Sequence, residues 1–150
     1  MFISIIEYLY IFSTVKTLGC DVGWKRFMSS CYYFEFESVK TCYDAKSDCH
    51  SKGGYLVKID NKVENWFSKS YLQTDNNKDG AWIGAHDTVQ ESNFIWESEN
   101  TSFTFTDWHP DNPNDAGSGE DCASMRKLGD YNWNDASCSL LYSYICEKQK

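Results

Sequence analysis

The sequence predicts an α+β domain stapled by disulfides, and three observations carry that reading. Two segments of helical periodicity are followed by a run of short, strongly apolar segments, the order expected of an α+β fold. Seven cysteines in 150 residues, with no C-x-x-C pair, point to disulfides made in an oxidising compartment rather than to a zinc or redox centre. Between Trp108 and Cys122 the stretch W-H-P-D-N-P-N-D-A-G-S-G-E-D-C holds both prolines of the chain. Proline removes backbone donors, and Gly and Asn favour turns, so this stretch is an irregular loop. The length supports one domain with its own core.

The elements follow in chain order. Met1–Gly19 is apolar but too short and too interrupted for a membrane span, and it reads as a secretion signal peptide. It lacks a basic residue near Met1, and Glu7 breaks the apolar run, so an N-terminal strand and a misassigned start are the competing readings. The domain proper is then 20–150. Cys20 and Cys31 flank a Gly-Trp and suggest a disulfide-closed hairpin, followed by a strand over Cys31–Phe36. Ser38 caps a predicted helix over 39–51, with Val39, Cys42, Ala45 and Cys49 on one face and Gly53-Gly54 stopping it. Tyr55–Ile59 alternates like a strand. Asn61 with Glu64 opens a second helix, whose apolar face is Val63, Trp66, Phe67 and Tyr71.

Asp75–Gly80 mimics the start of an EF-hand loop, but its twelfth position is His86 rather than Glu, so a polar turn is predicted. Further strands fall at Ala81–Gly84, Phe94–Trp96, Cys122–Met125, Tyr131–Trp133 and Tyr142–Glu147. Asn100-Thr101-Ser102 is a glycosylation sequon on a polar loop. Trp82, Trp96, Trp108 and Trp133 are expected in the core. His50, His86 and His109 are scattered and read as surface side chains.

The Trp108–Cys122 loop is rich in carboxylate and amide oxygens, and after Trp133 come Asn134 and Asp135, just before Cys138. Clustered oxygens on a constrained loop are how proteins hold Ca²⁺, which takes six to eight oxygen ligands. A Cys122–Cys138 bridge would pin the second group beside the first. The net charge of −8 and pI near 4.8 argue against a nucleic-acid partner. Catalysis lacks its parts: Ser118 in G-S-G has no strand–turn–helix elbow, and the best placed acids are explained as metal ligands.

With these residues in view, Cys20–Lys150 resembles the C-type lectin domain. The resemblance rests on Cys20-x₃-Trp24 with Cys31-Tyr32, Trp82-Ile83-Gly84, the long loop, Trp133-Asn134-Asp135, Cys138 and Tyr144-Ile145-Cys146. It implies a double-loop α+β fold, with two helices, short antiparallel strands and a calcium-binding long loop. It also implies Cys49–Cys146 and Cys122–Cys138 bridges, plus Cys20–Cys31 as in the long form. The family's sugar-binding metal site maps onto Asn112, Asn114, Glu120, Asn134 and Asp135. An auxiliary Ca²⁺ site maps onto Asp87, Glu91, Asp115 and Asp121, with Glu120 shared.

Asn112-Pro113-Asn114 departs from both family tripeptides, Glu-Pro-Asn in mannose-type and Gln-Pro-Asp in galactose-type members. The resemblance also implies a cis Asn112–Pro113 bond. Carboxylate ligands accept from sugar hydroxyls while amides donate, a set that matches neither family code. Asn114, as in mannose-type members, and the absence of an aromatic residue in Asp115–Asp121 to stack a galactose face lean it to mannose- or fucose-type glycans. A binding role is expected, in recognition of surface glycans as in innate defence, with a homo-oligomer supplying avidity. The alternative is a lectin-like domain that binds a protein or mineral without sugar. Cys42 is the odd cysteine, standing where family members carry Trp. It is read either as an intermolecular bridge or, given the helix face it shares with Cys49, as a buried free thiol.

Overall fold

The computed structural model describes residues 19–75, 79–117 and 119–149. The leader reading of Met1–Gly19 therefore falls almost wholly outside the described residues, as does Ser118. Strands β1 (Lys25–Phe27) and β2 (Ser30–Lys40) form the opening hairpin, closed by Cys20–Cys31. Helix α1 (Cys42–Ser51), β3 (Tyr55–Leu56) and helix α2 (Lys62–Leu72) follow, then β4 (Gly80–His86) and β5 (Ile95–Trp96). After the long loop come β6 (Cys122–Arg126), β7 (Trp133–Ala136) and β8 (Tyr142–Gln149). One sheet runs β1-β2-β8-β4-β6-β7, with β3 on β8 and β5 on β4. The β4–β8 pair is parallel, joining Ala81 to Ser143 and Trp82 to Tyr144, while the other strand pairs among the described residues are antiparallel.

The first helix begins later than its periodicity suggests. Chain 38–40 continues β2, because Lys40 pairs with Tyr142 and its carbonyl accepts from the Trp82 indole at 2.9 Å. Val39 is therefore exposed and the cap is Thr41, whose hydroxyl accepts from the Asp44 N–H. The remaining face, Cys42, Ala45 and Cys49, is buried as expected. The second helix starts where predicted, with the Asn61 side chain accepting from the N–H groups of Val63 and Glu64. Its buried face is rotated, however. Phe67 stacks on Phe27 at 4.2 Å, Tyr71 stacks on Phe34 at 4.6 Å, and Asn65 turns inward to accept from the Trp133 indole. Val63 and Trp66 are left exposed.

Two strands are also shorter than expected or displaced. The β3 ladder stops at Leu56, although Val57 and Ile59 continue into the core. Asp130 and Tyr131 adopt left-handed turn conformations, so β7 begins only at Trp133. Alternation places Ile83, Ile145 and Val57 in one cluster with Trp96 and Trp133. Trp82, Tyr144 and Leu56 fall in the other, with Cys49–Cys146, Cys122–Cys138 and the α1 face. At Gly84 a Cβ would stand 2.4 Å from the Leu56 carbonyl oxygen, so the crossing of these segments requires glycine.

Two buried acids lie beside this crossing. Glu64 accepts from the Tyr32 hydroxyl at 2.5 Å and from the Asp60 N–H at 2.8 Å, while Glu147 accepts from the Lys58 N–H at 3.2 Å. Burial, with the nearby Glu64 charge adding to it, pushes Glu147 up from 4.5 to about 7. A carboxyl raised on folding contributes stability that is fully present below its unfolded value and lost as pH rises through the folded one. In chelator, the melting temperature should thus rise as pH falls from 7.5 to 6.5, before His86, depressed by burial, pulls the other way. Glu147→Gln should flatten that slope in thermal melts. An unchanged slope would remove Glu147 as its cause.

Candidate functional site

The long loop is held at both roots. The Trp133 N–H donates to the Asp107 carbonyl and the His109 N–H to the Trp133 carbonyl, each at 2.8 Å, so the loop's entry lies along β7. Its exit is tied by Cys122–Cys138 and by pairing of Cys122 with Ala136. Beneath it, the Trp133 ring meets Trp96, Phe103, Phe105 and Trp108 edge-on at 5.6 to 5.8 Å. Trp108 is half-buried, while Trp82, Trp96 and Trp133 are fully enclosed. Of the histidines, His50 is exposed, whereas His86 and His109 are half-buried, which corrects their reading as surface side chains.

The structure brings the first predicted group together. Asn112–Pro113 is cis. The three amides run in series. Asn114 donates to the Asn112 amide oxygen at 2.5 Å, Asn112 donates to that of Asn134 at 2.7 Å, and Asn134 donates to the Asp135 carbonyl. Asp135, on β7 and buried, accepts through one oxygen from the N–H groups of Asn114 at 2.7 Å and Asp115 at 2.6 Å. Its other oxygen, Oδ1, is enclosed without a hydrogen-bond partner. Glu120 accepts from the Ala116 N–H at 3.0 Å. Burial, with the charges of Asp135 and Asp115 adding to it, raises its carboxyl above the usual range.

The second predicted group lies around an adjoining cavity of about 150 Å³ lined by Asp87, Glu91, Ser92, Phe94, Pro113, Asn114, Asp115 and Asp135. Asp87 is buried and accepts from the Ser92 N–H at 2.8 Å, yet its Oδ1 also lacks a partner. Burial, reinforced by the charges of Glu91 and Asp121, pushes Asp87 up to about 6. Asp115 differs: the N–H groups of Gly119 and Glu120 bind its carboxylate and hold it below the usual range. Asp121 does not line the cavity but accepts the Asp87 N–H through its carbonyl at 3.2 Å. Among the described residues no three carboxylates converge within 4.8 Å, so these acids ring the cavity instead of meeting at a point.

A cation fits this donor set. Each group has one buried carboxylate oxygen with no proton donor to satisfy it, a costly arrangement unless positive charge sits opposite. The surrounding ligand types, carboxylate and amide oxygen, suit a hard divalent ion.

Residues 38–148 match the Lectin C-type domain family. The chain belongs to the C-type lectin family. A perlucin-like protein of Mytilus galloprovincialis is 33% identical over 92% of this chain and 93% of its own length. An alpha-N-acetylgalactosamine-specific lectin of Patiria pectinifera is 36% identical over 83% of this chain and 77% of its own. Among solved structures, the cow CD23 carbohydrate-recognition domain, determined in the presence of a GlcNAc2Man3 oligosaccharide, superposes with a TM-score of 0.78. It is 36% identical over 88% of this chain and 97% of that one. Carbohydrate binding, without enzymatic activity, is thus the property of the C-type lectin family.

The cavity contains three contributors that residue patterns did not reveal. Ser92 acts through its backbone N–H, which no side-chain motif announces, and its left-handed φ of 64° turns that N–H toward Asp87. Phe94 and Pro113 supply apolar wall. Asn100 is exposed in a turn beyond β5, open to solvent as a glycan acceptor must be. No described helix is long and apolar enough to cross a membrane.

Proposed function

We propose that this C-type lectin is a secreted, calcium-dependent glycan-binding protein that acts by recognition and not catalysis, with surface glycans of the kind read in innate defence as its targets. The carrying observation is the pair of partnerless buried carboxylate oxygens, Asp135 Oδ1 and Asp87 Oδ1, one in each group of oxygen donors. Asn112, Asn114, Glu120, Asn134 and Asp135 would hold the sugar-facing Ca²⁺; Asp87, Glu91, Asp115 and Asp121, with Glu120 shared, would hold an auxiliary one. Bound there, Ca²⁺ would supply a Lewis-acidic centre for sugar hydroxyl oxygens. The chain does the discriminating. Glu120 accepts hydrogen bonds from the hydroxyls and the amides of Asn112 and Asn114 donate. Asn114, as in mannose-type members, and the lack of an aromatic residue in Asp115–Asp121 to stack a galactose face favour mannose- or fucose-type glycans. One domain grips a monosaccharide weakly, so a homo-oligomer would supply avidity.

A glycan array with Ca²⁺ and with EDTA tests this. Terminal-sugar binding lost in EDTA is the expected result, and a silent array with calorimetrically confirmed Ca²⁺ binding would replace sugar by a protein or mineral partner. That second reading has one specific observation behind it: both polar atoms of the Asn112 amide are engaged within the loop. Asn112→Glu addresses the same residue. A carboxylate there keeps an acceptor for Asn114 and adds a negative charge, so Ca²⁺ affinity should rise about tenfold. Unchanged affinity by calorimetry would remove Asn112 from the ligand set.

A further inference from the structure

The sulfurs of Cys42, Cys122 and Cys138 lie within 4.8 Å of one another. Cys122 and Cys138 form the disulfide at the exit of the long loop, whereas Cys42 is free and buried. The backbones are in contact too, because the Cys42 N–H donates to the Cys138 carbonyl at 2.9 Å. This hydrogen bond holds the two backbones side by side, and a disulfide bridges Cα atoms roughly 4.4 to 6.8 Å apart. Cys42 and Cys122 also border a cavity of about 90 Å³, walled by Lys46, Ile83, His86 and Glu97 among others.

We propose that Cys42 is an alternative partner for Cys138, so that the domain interconverts between a Cys122–Cys138 and a Cys42–Cys138 bridge by internal thiol–disulfide exchange. The Cys42 thiol loses its proton, its sulfur lone pair attacks the Cys138 sulfur, and an S–S bond forms between them. The Cys122–Cys138 bond breaks, and Cys122 leaves as a thiolate that takes up a proton. One thiol and one disulfide stand on each side, so no oxidant or reductant is consumed. The exchange moves an anchor. The start of β6, next to Glu120 and Asp121, is released, and the segment after β7 becomes strapped to α1.

Burial pushes the Cys42 thiol up to about 12; the Lys46 charge works against this and Glu97 with it. His86, the cross-strand partner of Cys122, is kept neutral by burial and adds no positive charge to the cavity wall. Exchange needs the thiolate, so it is slow at neutral pH and quickens in alkali.

Thiol counting in denaturant, with alkylation and non-reducing peptide mapping, tests the proposal. The wild type has one free thiol. Cys122→Ser should have none and should yield a linked Cys42–Cys138 peptide; two alkylatable thiols in that variant would overturn the proposal. If Cys122→Ser does not fold, the wild type decides. Held at pH 9 and then alkylated, it should yield alkylated Cys122, a product absent from Cys42→Ser. Alkylation confined to Cys42 would overturn the exchange. The counts are the same whether or not calcium binds, so they stand apart from the calcium reading.

Discussion

Asp135→Asn should lower Ca²⁺ affinity about a hundredfold or more and abolish calcium-dependent glycan binding, while leaving the metal-free fold as stable as before. The two oxygens of Asp135 have separate tasks. One accepts the N–H groups of Asn114 and Asp115, and an amide oxygen can keep both bonds. The other has no protein partner, and in the variant its place is taken by an NH₂ group that repels a cation. If that oxygen holds the ion as proposed, losing its charge is worth on the order of 3 kcal/mol. Calorimetry with Ca²⁺ reads the first effect and melting in EDTA the second. A fall in the EDTA melting temperature with unchanged Ca²⁺ affinity would make Asp135 a loop strut and nothing more.

Trp133→Ala should cost about 4 kcal/mol, a drop in melting temperature of roughly 10 to 20 °C, and should weaken Ca²⁺ binding as well. The ring is fully enclosed by four aromatic neighbours, and its indole N–H donates to Asn65 at 3.0 Å, so alanine leaves both a cavity and an unpaired amide oxygen. The same residue's backbone fixes the entry of the long loop, which couples the core to the site. Trp133→Phe separates the contributions: it keeps most of the packing and loses the hydrogen bond, for about 1 to 2 kcal/mol. Equal losses in the two variants would show that packing is not what Trp133 supplies.

Legibility in the sequence followed the range of the interaction. The Asn61 cap, the Gly84 strand and the long loop's irregularity are set by neighbours in the chain, and each was readable. The start of α1 was not, because Lys40 is captured by Tyr142 and Trp82, both remote in sequence. The face of α2 is set remotely as well: Trp133 draws Asn65 inward, and an aromatic pair on β1 and β2 fixes the rotation. At the site, composition marked the long loop and Asn134-Asp135 as oxygen-rich, and the family resemblance supplied the two sets of oxygen donors. They could not indicate which individual oxygens lack a donor, since that depends on backbone N–H groups supplied by turns such as the one at Ser92.

The sheet order has a practical corollary for how such a domain is displayed. The earliest and latest described strands, β1, β2 and β8, form one side of the sheet, where Ser30 pairs with Gln149 and Lys148 meets Asp21. The long loop is rooted on β6 and β7, at the opposite edge. A tether, label or fusion partner joined near either end of the described domain thus departs from the same side, with β4 between it and the strands that root the loop. Immobilised through either end, the domain should face outward in the same sense, loop foremost.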